Sequence, residues 1–158
     1  QKKIFKLGGF ELIWLNGEYI RGLSDKELYE KTLPYVAADT DKKLLKQLVP
    51  LAKARMKKLT DITIYLKPFT SYSPAALDAK QKKSAEPFVT LFNGISTWKT
   101  EKLESSAKKQ VAQLNLSPHS AFMALRMAIT GEKIGLPLFE SMEILGKTVV
   151  MHRLKSAI

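Results

Sequence analysis

The chain has 158 residues, 45% of them apolar, enough to bury the core of one domain or of two small ones. Its 26 Lys and Arg outnumber 15 Asp and Glu, giving a formal charge of +11 and a pI near 9.8, which points first to a polyanionic partner. The lack of cysteine excludes disulfides and thiolate metal sites, two distant histidines make no zinc centre, and no apolar run of about 18 residues is available to cross a membrane.

The amino-terminal stretch "QKKIFKLGGF" carries neither an initiator Met nor an apolar signal core, so the chain reads as a piece of a longer protein. In "FELIWLNGEYIRGL", Leu12, Leu15, Tyr19 and Leu23 recur at spacings of three and four and predict an amphipathic helix, which Gly17 weakens. "SDKELYEKTLPYVA" opens with Ser24 three residues before Glu27, a capping box. A third helix is expected in "DKKLLKQLVPLAKARMKKL", with Leu44, Leu45, Leu48, Leu51 and Ala52 on one side, kinked or divided at Pro50. "TDITIYLKPFTSY" fits a strand or a short helix capped at Thr60-Asp61, and helix is the reading adopted. Ser73-Pro74 resembles an N-cap followed by a first-turn proline, and a boundary between helical subdomains is placed there.

The second half continues in the same manner through "SAEPFVTLFNGIS", "TEKLESSAKKQVAQLNL", "SPHSAFMALRMAITG", "PLFESMEILG" and "KTVVMHRLKSAI", with Ser117-Pro118 as a start and Gly131 and Gly146 as stops. Basic residues exceed acidic ones by 14 to 8 in residues 1–72 and by 12 to 7 in 73–158, so the positive potential belongs to the whole chain.

No catalytic constellation is legible. "LGGF" and "FNGIS" lack the spacing of a phosphate loop, and neither His119 nor His152 has a nucleophile pattern beside it, so both read as surface or capping residues. Glu140 with Glu143, and Glu101 with Glu104, read as solvated helix faces, and Trp14 and Trp98 as core anchors. Arg126, in "FMALRMAITG", is the anomaly: a permanent charge on a largely apolar helix needs a partner inside the protein or outside it.

Taken together, "LIWLNGEYIRGLSDKEL" (12–28), "AKARMKKLTDI" (52–62) and "ALRMAITGEKIGLPLFESMEILGKTVVMHRLKSA" (124–157) resemble the carboxy-terminal, anticodon-binding part of bacterial-type glutamyl-tRNA synthetase. The resemblance implies an all-α fold, two successive helical bundle subdomains (1–72 and 73–158) forming an elongated body. It also implies that ATP, Mg and the ligation of glutamate to tRNA belong to an amino-terminal catalytic domain absent from this sequence, and that this part needs no cofactor. The implied partner is tRNA(Glu), with tRNA(Gln) left open, on a cytoplasmic monomer without membrane contact.

By the same resemblance, Arg55 matches the arginine that reads the third anticodon base. Cytosine offers acceptors there whereas guanine presents donors at N1 and N2, so a donor-only guanidinium suits the first and opposes the second. Arg126 matches an arginine that contacts the other anticodon bases, with Leu136, Pro137 and Leu138 supplying apolar surface and backbone groups. Lys53, Lys57 and Lys58 are expected as phosphate neighbours. Without the resemblance, Arg55 reads as a solvated residue of a basic helix and Arg126 as the partner of a carboxylate such as Glu140. Rival readings are a generic basic helical RNA-binding or ribosome-associated module, and a scaffold docking an acidic protein or membrane surface.

Overall fold

A computed structural model describes residues 9–158, with side chains from Leu12 onward. The stretch at 1–8 and the side chains of Phe10 and Glu11 therefore lie outside the described residues. All regular structure among those described is helical. The chain packs as two compact units, one up to Leu66 and one from Lys67 to Ile158.

The first unit contains α1 (Gly9–Gly22), α2 (Asp25–Thr32), a 3₁₀ turn (Leu33–Tyr35), α3 (Lys42–Lys53), a second 3₁₀ turn (Leu59–Asp61) and the start of α4 (Ile62–Thr70). Helix α2 begins as the sequence dictates: Glu27 N–H donates to Ser24 Oγ at 3.2 Å and Ser24 N–H to Glu27 Oε2 at 2.8 Å. Those bonds, from the Ser24 backbone first, hold the Glu27 carboxyl below its usual pKa. Helix α3 buries Leu45, Leu48, Val49 and Ala52, an i, i+3, i+4, i+7 stripe, and packs on α2.

Four expectations for this unit need correction. Leu12, Leu15 and Tyr19 are exposed, and α1 instead buries Gly17 and Ile20; periodicity identifies the helix, but its packing partner selects the face. Trp14 lies on the exposed side at 61% accessibility and anchors no core. Helix α3 is not divided at Pro50, which lies inside it and faces solvent, where water can replace the bond its ring cannot donate. The helix then stops at Lys53, short of the expected "RMKKL". Arg55 and Met56 N–H both turn back to the Ala52 carbonyl, at 2.8 and 3.0 Å, because Met56 is drawn fully into the core.

The second unit holds the end of α4, then α5 (Ala79–Ala85), α6 (Pro87–Asn93), α7 (Thr100–Gln113), α8 (Pro118–Thr130), α9 (Leu138–Leu145) and α10 (Lys147–Ala157). Phe88, Phe92, Leu103, Leu125, Ile129, Met142 and Leu154 are fully buried in its core. Trp98 does anchor: its ring meets Phe92 edge-on at 6.1 Å and Nε1 donates to the Met142 carbonyl at 2.9 Å. Ser73-Pro74 starts no helix; the cap is Asp78, whose side chain accepts from Gln81 N–H at 2.8 Å and whose N–H donates to Gln81 Oε1 at 2.9 Å. Nor is Glu143 a solvated charge. It accepts from Thr100 N–H at 2.6 Å, Thr100 Oγ1 at 2.7 Å and Lys99 Nζ at 2.9 Å, capping α7 from α9.

The end of α8 is held from three directions. Gly131, at φ +76°, closes the helix by donating to the Met127 carbonyl at 2.9 Å. Tyr72 Oη donates to the Ala128 carbonyl at 3.0 Å, and Arg153 Nη1 to the Ile129 carbonyl at 2.9 Å. A Cβ on Gly131 would lie 2.0 Å from the Ser73 carbonyl oxygen. The 71–78 strap therefore crosses this helix end at a distance only glycine permits.

Candidate nucleic-acid interface

Helix α8 presents Phe122, Met123 and Arg126, one turn apart, to a cleft of about 420 Å³ whose other wall is Pro137, Leu138 and Phe139 at the start of α9. Arg126 is half-buried there, and its Nη1 donates to the Leu136 carbonyl at 2.7 Å. Thr130 Oγ1 donates to the Arg126 carbonyl at 2.7 Å and accepts from Glu132 N–H at 3.2 Å, tying the loop back to the helix that carries the guanidinium. Leu136 is buried, so it contributes its carbonyl, while Pro137 and Leu138 line the cleft. Gly135 brings its backbone close: a Cβ there would lie 3.5 Å from Arg126 Nη1.

Sequence reasoning missed other walls of this cleft. Phe122 meets Phe139 edge-on at 5.6 Å, leaving an aromatic surface half-covered, and helical spacing of four from Arg126 was the signal for it. His119 also lines the cleft from the first turn of α8, as do the carboxylates Glu104 and Glu140. Glu104 is bonded to Lys108 at 2.6 Å one turn along α7. Ile134, in the loop before Leu136, is 79% exposed, an apolar side chain offered to solvent.

Arg55 belongs to the first unit. It stands in the turn after α3, with its carbonyl accepting from Tyr65 Oη at 3.3 Å and its side chain exposed. Burial raises the Tyr65 pKa, with the Asp61 charge acting in the same direction, so Tyr65 stays a hydroxyl donor. Lys57 and Lys58 flank the turn with exposed side chains, and their N–H groups bind Asp61 Oδ2 at 2.8 and 2.9 Å. Lys53 is engaged differently: its Nζ lies 3.3 Å from Asp25 Oδ1. No group of His, Asp or Glu that could hold a metal occurs among the described residues.

The fold and this surface define a class: a basic, all-α module that sets a guanidinium beside an aromatic and aliphatic cleft. A family profile described as "Anticodon binding domain" matches residues 27–158, and the chain belongs to that family. Among curated relatives it is 29% identical to the glutamate–tRNA ligase of Roseiflexus castenholzii over 94% of this chain and 33% of that one. It is 29% identical to the ligase of Thermobifida fusca over 90% of this chain and 34% of that one. The chain thus spans about a third of the length of these relatives. Its fold matches the crystal structure of the glutamate-tRNA synthetase from Elizabethkingia anophelis with a TM-score of 0.73 at 21% identity, covering 96% of this chain and 32% of that one.

Proposed function

We propose that this chain is the anticodon-reading part of a glutamate–tRNA ligase. Glutamate activation with ATP and Mg, and transfer to tRNA, fall to the remainder of such an enzyme. The observation that carries the reading is Arg126, half-buried at a cleft with Phe122, Pro137 and Leu138, in a member of the anticodon binding domain family. An unstacked base needs an apolar face to lie on and donors for its pairing edge, and this combination offers both.

Arg55 reads the third anticodon base in this scheme, favouring the acceptor edge of cytosine over the donor edge of guanine. The exposed guanidinium on an anchored turn suits that task. Lys57 and Lys58 attract neighbouring phosphates, while Lys53 must first leave Asp25 to do so. The ligand is tRNA(Glu), and the Arg55 chemistry disfavours tRNA(Gln).

Titration with an anticodon stem-loop at fixed salt tests this. Arg126→Ala and Arg55→Ala should each weaken binding by roughly 1–3 kcal/mol, the range of a good bidentate base contact. Changing the third anticodon base from C to G should weaken the wild type and leave Arg55→Ala indifferent. A chain that binds both stem-loops equally well is a generic RNA binder, and the proposal fails.

A further inference from the structure

Arg153 poses a charge problem in the second unit. Its guanidinium is half-buried, donating from Nη1 to the Pro68 carbonyl at 2.8 Å and the Ile129 carbonyl at 2.9 Å, with its central carbon 3.8 Å from the centre of the Tyr72 ring. All three partners are neutral, and none of the ion pairs among the described residues includes Arg153. Burial lowers the Arg153 pKa, as expected of a charge removed from water without a counter-charge. Taking a charge out of water is costly, and the neutral partners of Arg153 offset that cost only in part.

Arg153 borders a cleft of about 500 Å³ between the strap and α10, lined also by Tyr72, Lys82, His152 and Ser156. Among the described residues no Asp or Glu side chain lines it, whereas Glu104 and Glu140 line the Arg126 cleft, and the two clefts share none of those residues. Lys82 Nζ donates to the Ile158 main-chain oxygen at 3.2 Å, a carboxylate oxygen in the 158-residue chain, and an ammonium has two further donors to offer. We infer that this second cleft binds a phosphate oxyanion between Arg153 and Lys82. The ligand then supplies the opposite charge that no ion pair among the described residues brings to Arg153. Two sources share this chemistry, a phosphodiester of an RNA backbone and free phosphate. Either contact lies beyond base reading, because it senses charge and not sequence.

The full 158-residue chain and Lys82→Gln are to be unfolded by heat in sodium phosphate and in sodium chloride of matched ionic strength and pH. A ligand bound only by the native state raises the midpoint with its concentration. Phosphate should raise the wild-type midpoint above that in chloride, and K82Q should lose this gain, measured against its own midpoint in chloride. Lys82→Arg, which keeps the charge, should retain it. Salt titrations with an anticodon stem-loop then separate the sources. A phosphodiester in the cleft makes the log–log slope of K82Q shallower by about one, and an unchanged slope assigns the cleft to free phosphate. Equal phosphate responses in the wild type and K82Q overturn the inference, whatever the slope.

Discussion

Glu143→Gln tests how much of the second unit rests on one carboxylate. Its bonds from Lys99, and then from the Thr100 hydroxyl and N–H, hold the Glu143 carboxyl at about 2 instead of 4.5. At about 1.4 kcal/mol per pH unit, that gap corresponds to roughly 3 kcal/mol of linkage. The side chain is 31% exposed, however, and solvent screening reduces the expected effect to about 1–2 kcal/mol. The sign follows from the folded carboxyl titrating below the unfolded one. The contribution is complete above about pH 4.5 and vanishes as the pH falls through about 2. Urea unfolding followed by Trp98 fluorescence, in a Trp14→Phe background, reads the unit that contains Glu143. E143Q should be less stable than its parent at pH 7, and the two curves should converge between pH 4.5 and about 2. No difference at neutral pH, or one that persists unchanged near pH 2, would refute the capping role assigned to Glu143.

Two further substitutions follow from local geometry. Gly131→Ala combines a left-handed residue, costing roughly 1–2 kcal/mol, with a Cβ driven into the Ser73 carbonyl, an overlap of the kind that costs about 1–3 kcal/mol. Its unfolding midpoint in urea should fall accordingly, and a midpoint equal to wild type would mean that the strap does not lie against α8. Ser24→Ala removes the α2 cap and should cost about 1 kcal/mol by the same measurement. Ser24→Thr should recover most of it, which a loss unrelated to capping would not allow.

What the sequence disclosed and what it concealed divide along the range of the interactions involved. The capping box at Ser24, the start at Ser117-Pro118 and the stop at Gly131 are contacts within a few residues, and each is found where the local pattern put it. The Arg126 cleft was half legible: Pro137 and Leu138 follow closely in the chain, and Phe122 shares the helical face of Arg126, but Glu104 arrives from α7. Glu143 looked like an ordinary surface charge because its partners lie more than forty residues away. Trp14 failed for the opposite reason. Its size suggested a core position, yet burial depends on which face of α1 finds a partner. The early end of α3 likewise reflects Met56 being pulled inward, which no count of helix formers registers.

The way α8 is finished has a bearing on the evolution of the cleft. Arg126 lies less than one turn from carbonyls held by Tyr72 and Arg153, residues that approach from opposite ends of the unit's sequence. The aim of the guanidinium is therefore inherited from positions that touch no ligand in its own cleft. Under the function proposed above, a change at 72 or 153 would alter how Arg126 is presented without touching its cleft, so the constraint on that cleft reaches residues outside its lining.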